Sequence, residues 1–393
     1  MLKERTSIKS FHILHQNKLR VVVLGAGFGG LELTATLSER MGDQLDLILI
    51  DRNDFFFFGY TKLDVMFGLK PANAIKHFYS RIDKPGVTFR QESITSIDPV
   101  RKRVTTDQGS YQADVLVIAL GADYDVDATP GLAEGGYEFY SFKGAERVHE
   151  ALSGFSKGHI LIGVTGFPFK CPPAPSETAL LLHEYLTRRE IRDQCQISLV
   201  VPFELPVPPS YGTSKALLKH FQEKEIVYIP EIMVGAIDPS RKVAELDDGR
   251  EIPFDLFLGI PEHCVPRVLE ESGLLFDGWV PVDRNNLKTK FPNVYAIGDV
   301  TSVGTPKAGL FAQGAAQIAA ASIVAEFNGE EFAGSFTGEG SCYVEFGEGK
   351  VGRADVKFFP DPAHPEGTHK KASQALAREK AALEENNRLR WFG

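Results

Sequence analysis

Three groups of residues in this chain have types and spacings suited to chemistry. Gly25-Ala-Gly27-Phe-Gly-Gly30 follows a β-branched run and opens a helical pattern. Glycine at the first, third and sixth places allows a tight turn, close approach of backbone to a pyrophosphate, and close packing of helix on strand. The N–H groups at the helix start then face the phosphates. Asp51 closes the next apolar run, where a carboxylate accepts ribose hydroxyls. The second group is a turn at Gly163 and Gly166, followed by Phe167, Pro168 and Phe169, whose bulk would crowd a pyrophosphate. The next strand ends Val200-Val-Pro-Phe without a carboxylate, and Glu204 lies past the proline. This unit therefore reads as a nucleotide fold that has lost most of its nicotinamide affinity. Something else must supply electrons, and the third group offers it. Cys171 sits before a helical pattern that starts near Ser176, with Pro172, Pro173 and Pro175 stiffening the approach. A cysteine at a helix N-terminus has a stabilised thiolate and a lowered pKa.

Elements of two kinds must position these groups. Leu19–Gly25, Leu47–Ile50 and Val115–Ala119 are short aliphatic runs of the kind that form buried parallel strands, and Ala26–Arg40 has helical periodicity. His159–Gly163 and Ile197–Val201 repeat the pattern, and Asp255–Gly259 and Val294–Gly298 read as further strand ends. Strands alternating with helices imply parallel sheets with right-handed crossovers. The predicted fold class is α/β: two Rossmann-like dinucleotide-binding domains in tandem plus a small C-terminal α+β domain. The first domain takes residues 1–125 and 270–330, the second 126–269, and the third 331–393, where Tyr343–Phe359 alternates like a strand. From Glu366 the chain reads as a charged helix ending Trp391-Phe392-Gly393. Its aromatic end either tucks onto the body or anchors at lipid headgroups.

Composition excludes several classes. With 43 basic and 52 acidic residues in 393, the net charge of −9 argues against a nucleic-acid partner. At 43% hydrophobic and 24% charged, the chain is ordinary for a folded protein. Four cysteines in this length are not a disulfide scaffold. Cys195 opens a strand and reads as core, whereas Cys264 is placed on a loop, and His263 beside it has no second ligand at metal spacing, so no metal is expected. Residues 1–20 lack an apolar h-region, and the uncharged stretch Ala308–Ala325 reads as a buried helix, not a membrane span. The expected location is cytoplasmic, with peripheral contact at the inner face of a membrane and homo-oligomer formation left open.

Two resemblances sharpen this reading. Phe291-Pro-Asn-Val-Tyr-Ala-Ile-Gly298-Asp299 resembles the second FAD motif of two-dinucleotide-domain flavoproteins, in which the Asp binds the ribityl chain. Ala119-Leu-Gly121 resembles the A-T-G segment of the same proteins. The implied cofactor is FAD, held by Gly25, Gly27, Gly30, Asp51, Gly121, Gly298 and Asp299. The following helix would aim its positive end at the flavin.

Phe169-Lys-Cys171-Pro-Pro-Ala-Pro-Ser-Glu177 is similar to a segment of flavocytochrome c sulfide dehydrogenase flavoprotein subunits and their sulfide:quinone oxidoreductase relatives. In that family this cysteine forms a redox-active disulfide with a later one, matched here by Cys342 in Gly340-Ser-Cys342-Tyr-Val-Glu-Phe-Gly347. Lys307, in Thr305-Pro-Lys307-Ala-Gly309, matches a lysine at the helix facing the flavin, and Arg390-Trp-Phe-Gly393 also recurs. The resemblance implies oxidation of sulfide or a related sulfur compound, with electrons passing through FAD to a quinone or another acceptor. Glu177 would shuttle protons or cap its helix. Phe346, Phe358 and Phe359 would line a quinone site or form ordinary core, and the run Phe55–Phe58 would shield the flavin or face a partner. The chain departs from many relatives at Ala122–Val126, which holds no cysteine, so covalent FAD is not expected. Cys264 is a weaker candidate to replace that sulfur. Two other functions use the same FAD motifs: a type II NAD(P)H:quinone dehydrogenase, with Ala312-Gln313 on its quinone-side helix, and a redox-inert FAD-binding interaction protein.

Overall fold

Runs of Val, Ile and Leu without polar alternation suit strands covered on both faces. The computed structural model, which describes residues 18–361 and 364–393, builds its two main sheets from such runs. In chain order they begin with β1 (Leu19–Leu24), helix α1 (Phe28–Met41), β2 (Leu45–Asp51), β3 (Val87–Gln91) and β4 (Val115–Ile118). Next come β5 (Gly158–Val164), α2 (Ala174–Arg188), β6 (Cys195–Val200), β7 (Ile226–Ile229) and β8 (Leu256–Ile260). The strand β9 (Val294–Ala296) and helix α3 (Gly309–Phe327) follow, and the hairpin β10 (Glu339–Gly347) and β11 (Lys350–Lys357) precedes the final helix α4 (Gln374–Phe392).

The first sheet has the order β9-β4-β1-β2-β3, all parallel, so a strand from late in the chain completes it. The second runs from the two-residue strand Tyr137–Glu138 through β8, β5 and β6 to β7, again all parallel. Each unit carries a three-stranded antiparallel insertion, residues 94–112 in the first and 234–253 in the second. The mixed α/β architecture read from the sequence is the architecture observed.

By length and composition α3 is apolar enough to cross a membrane, yet half of it is buried inside the protein. Ala315, Ala316, Ala319, Ala320 and Ile323 share one core with Leu31, Leu33 and Leu37 of α1. The small side chains let the two helices approach closely.

The tail differs from its sequence reading. Residues Lys370–Ser373 pair with β11, so the helix starts at Gln374 with Ser373 as its cap: the Ser373 hydroxyl accepts from the Leu376 amide. Trp391 and Phe392 are buried among Phe28, Phe56 and Phe58. The Trp391 indole N–H donates to Glu32 at 2.9 Å, and Arg390 pairs with Glu32 and Glu39. These rings tuck onto the body, the first of the two alternatives read from the sequence, and the lipid-anchor alternative does not hold for Trp391 and Phe392. The signal-peptide reading rests mainly on residues 1–17, which lie outside the described residues.

Candidate active site

The turn from β1 into α1 shows why its glycines are glycines. Gly25 has φ +99°, and a Cβ there would lie 2.4 Å from the Ala119 carbonyl oxygen. A Cβ on Gly30 would lie 1.9 Å from the Gly25 oxygen. A Cβ on Gly27, in contrast, would meet nothing within 4 Å, because that position faces open space. No side chain caps the first turn of α1, so its amides stay free toward that space. Asp51 is held at the tip of β2: its carboxylate accepts from the Ala26 amide at 2.8 Å and from the Asn53 amide and side chain at 2.9 and 2.8 Å.

One cavity of about 400 Å³ joins this cradle to the second unit and the hairpin. Gly25, Gly27 and Asp51 line it at the cradle, and Gly121, Gly298 and Asp299 line it where β4 and β9 end. Gly30 packs behind, beneath Gly25. The start of α3 also lines the cavity and has neither a capping side chain nor an acidic residue in its first turn, so its positive end is unopposed. A glycine turn open at Gly27, a fixed carboxylate and two uncapped helix starts fit a dinucleotide with a flavin, and the same residues would hold FAD.

Both named cysteines line this cavity, although Cys171 lies in the loop after β5 and Cys342 in β10. All four cysteines are free thiols, so the Cys171–Cys342 disulfide implied by resemblance is not formed in the structure. Cys171 has φ +53°, an uncommon conformation for a residue with a side chain and one that clusters at functional sites. Its amide donates to the Lys307 carbonyl at 2.9 Å, and its carbonyl accepts from Ala174 at the start of α2.

The lowered pKa expected of a helix N-terminal cysteine is overturned. Burial pushes the Cys171 thiol up, and the charge of Glu177 adds to this. The Cys342 thiol rises to about 12 for the same two reasons, burial first. The half-charge at a helix end is a smaller effect than desolvation here.

Glu177 lines the cavity beside both cysteines and is 2% exposed. It does not cap its own helix. Its carboxylate accepts from the Glu345 amide at 3.0 Å, tying β10 to α2, and burial raises its pKa to about 7. Lys307 also lines the cavity, but its ammonium donates to the Asp299 carbonyl at 2.6 Å and lies 3.1 Å from the Trp279 ring centroid. Burial lowers its pKa to about 8.

Three other expectations are decided by packing. Phe346, Phe358 and Phe359 are core, at most 9% exposed, and do not line the cavity, so they are not a quinone surface. Phe55, Phe56 and Phe57 do line it, while Phe58 is fully buried. Cys195 is core, as read. Cys264 lies in a short strand, not a loop, paired opposite Asp123 and outside the cavity lining. Among the described residues no cluster of His, Cys, Asp and Glu could hold a metal.

In the second nucleotide-type unit the bulky residues after the turn pack against one another. Phe167, Phe169 and Phe203 form a three-ring cluster with centroids 6.0–6.2 Å apart at the strand ends. A Cβ on Gly166 would already lie 2.4 Å from Glu262, so this glycine serves packing within the protein.

Sequence reasoning missed Lys62, Tyr140 and Lys380. All three line the inner cavity. Lys62 had a signal: it shares the buried face of a short helix, Lys62–Met66, with Leu63 and Met66. A lysine on an apolar face calls for an explanation.

Comparison with known proteins fits this geometry. Residues 19–322 match the pyridine nucleotide-disulphide oxidoreductase family. The mitochondrial sulfide:quinone oxidoreductase of Mus musculus is 28% identical over 312 residues, covering 74% of this chain and 68% of the mouse protein. That of Dictyostelium discoideum is 23% identical over 359 residues, covering 87% and 78%. Among solved structures, the sulfide:quinone oxidoreductase of Aquifex aeolicus has the same fold, with a TM-score of 0.82 at 24% identity, covering 94% of this chain and 90% of that one. A type II NADH:quinone oxidoreductase of Staphylococcus haemolyticus matches over 135 residues only, at 28% identity and 34% of each chain. The glycine cradle, the second strand-to-helix turn and a family match over most of the chain lead to one conclusion: this chain belongs to the pyridine nucleotide-disulphide oxidoreductase family and is an FAD-dependent oxidoreductase.

Proposed function

We propose that the protein oxidises sulfide, or a closely related small sulfur nucleophile, through Cys171 and Cys342, and passes the electrons through FAD to a quinone. The observation that carries this reading is that two cysteines 171 positions apart in sequence line one cavity with the FAD cradle, with Glu177 beside them. The likeness to the mouse and Dictyostelium proteins supports it.

In the oxidised pair, HS⁻ attacks one sulfur. A new S–S bond forms to the incoming sulfur, the Cys171–Cys342 bond breaks, and the other cysteine leaves as a thiolate. The incoming sulfur is thereby oxidised and the disulfide reduced by two electrons. A second sulfur nucleophile removes the outer sulfur as a polysulfide and leaves two thiols. FAD supplies the two-electron acceptor that lets the pair close again, and quinone is the final acceptor. Glu177, with its pKa raised to about 7, holds or gives up a proton near neutral pH next to both thiols. The unopposed N-terminus of α3 favours negative charge at its end of the cavity. The three-ring cluster over the second unit disfavours NADH as the donor.

The test is the flavin absorbance under anaerobic conditions, with sulfide in one sample and NADH in another. Rapid bleaching by sulfide that is lost in Cys171→Ser supports the reading. Bleaching by NADH alone would replace it with the NADH dehydrogenase reading, and bleaching by neither would favour a redox-inert protein.

A further inference from the structure

Lys62 is a buried cation of the cavity without a carboxylate partner. Lys62 is 7% exposed, its ammonium donates to the Tyr140 carbonyl at 3.2 Å, and it lies 4.0 Å from the Tyr140 ring centroid. Among the described residues it forms no ion pair. A lysine ammonium has three donors, and here one hydrogen bond uses one of them. Burying an ammonium on these terms costs free energy that an apolar side chain would avoid.

The charged groups around it are otherwise engaged. Glu138, beside the short strand pairing, accepts from the Tyr140 and Ser141 amides at 2.8 and 3.0 Å. Glu177 of α2 accepts from Glu345 of β10. Lys170 donates to the Ala122 carbonyl at 2.6 Å and to the Tyr124 hydroxyl at 3.4 Å. Lys380 of α4 is paired with Glu345 at 2.6 Å. Cys171 and Cys342 line the same cavity as Lys62, and the Tyr140 hydroxyl donates to the Lys170 carbonyl at 2.9 Å, one residue before Cys171; the cations that favour a Cys171 thiolate are Lys62 first and Lys380 second. Of these two, only Lys62 is uncommitted.

We infer that Lys62 is a positioning residue for the cysteine pair: it is the buried counter-cation of the Cys171 thiolate, and it receives the negative charge each time the Cys171–Cys342 bond opens. The inference rests on the proposed redox role of the pair. It accounts for a buried lysine with no acid partner, and for how a thiol facing Glu177 in a desolvated cavity forms an anion at all. Neutral Tyr140 supplies the rest of the ammonium's shell through its carbonyl and ring face, which leaves the charge unneutralised until the thiolate forms.

The test uses the FAD-loaded protein, reduced and freed of reductant, then pulsed with iodoacetamide and mapped by mass spectrometry for modification at Cys171. Only the thiolate reacts. Lys62→Met should slow alkylation of Cys171 roughly tenfold at a fixed pH of about 7, below the Lys62 pKa that burial lowers to about 8, the change produced by a one-unit rise in thiol pKa. Lys62→Arg, which keeps the charge, should restore most of the rate. Lys62→Gln keeps a donor without the charge, and it carries the test if the Met variant loses its flavin. Neutral variants that alkylate as fast as the parent, with flavin content retained, would overturn the inference. Failure of the underlying reading is a separate result: sulfide would still bleach the flavin of Cys171→Ser, whatever the alkylation rates.

Discussion

The amide of Cys171 donates to the carbonyl of Lys307 at 2.9 Å. This single bond joins the cysteine loop of the second unit to the turn that presents the N-terminus of α3 in the first. Lys307 in turn holds Asp299 through its ammonium. The cysteine loop, the lysine and the FAD-motif aspartate are therefore linked by one backbone hydrogen bond and one from the lysine side chain, so a shift of the cysteine loop is passed to the flavin side of the cavity.

The two cysteines should be equally indispensable. Cys171→Ser and Cys342→Ser should each bind FAD as the parent does and lose bleaching by sulfide down to the background rate. Retention of fast bleaching in either variant, read by stopped-flow absorbance, would remove that cysteine from the reaction.

Glu177 should leave a mark on stability as well as rate. Its pKa is about 7 when folded, against 4.5 in a free chain, with burial the main cause. The folded state therefore holds the proton more tightly than the unfolded one. Stability contributed by the protonated carboxyl is full below about pH 4.5 and is lost as pH rises to about 7. The loss is on the order of 3 kcal/mol. Glu177→Gln should flatten this slope in urea melts across the window and be the more stable protein above it. It should also slow flavin reduction, by roughly a hundredfold if the group transfers protons.

Two glycines of one turn should fail differently. Gly30→Ala places a methyl 1.9 Å from the Gly25 oxygen, so it should destabilise the protein even without cofactor. Gly27→Ala meets no protein atom within 4 Å, and its backbone is extended, so the apoprotein should melt normally. Its methyl should instead weaken FAD retention, measured by flavin released on gel filtration. Equal loss of apoprotein stability in both variants would contradict the cradle.

Trp391 should matter although it is third from the end of the sequence. The ring is 1% exposed, stacks on Phe58 and donates to buried Glu32. Trp391→Ala should cost about 3–5 kcal/mol by thermal or urea denaturation. It should also loosen FAD, because Leu383 and Asn387 of the same helix line the cavity. A change below about 1 kcal/mol would mean that the tail is only a surface ornament to the fold.

The sequence by itself determined the alternating architecture, the FAD cradle and the bulky residues that follow the turn of the second nucleotide-type unit. These are legible because each is local. A β-branched run, a glycine spacing and a bulky residue after a turn constrain their own backbone wherever the chain later goes. The pairing of β9 with β4, the meeting of Cys171 with Cys342, and the burial of Trp391 against Glu32 depend on contacts between distant segments. Only the tertiary structure decided these. It also reversed the sign of the thiol shift. The helix-start rule for Cys171 is a statement about neighbours in sequence, whereas desolvation is set by everything packed around the sulfur, and in this cavity desolvation is larger. Phe346, Phe358 and Phe359 went to the core and Phe55, Phe56 and Phe57 to the cavity for the same reason: a side chain's type gives its preference for burial, and only the fold says which surface it meets.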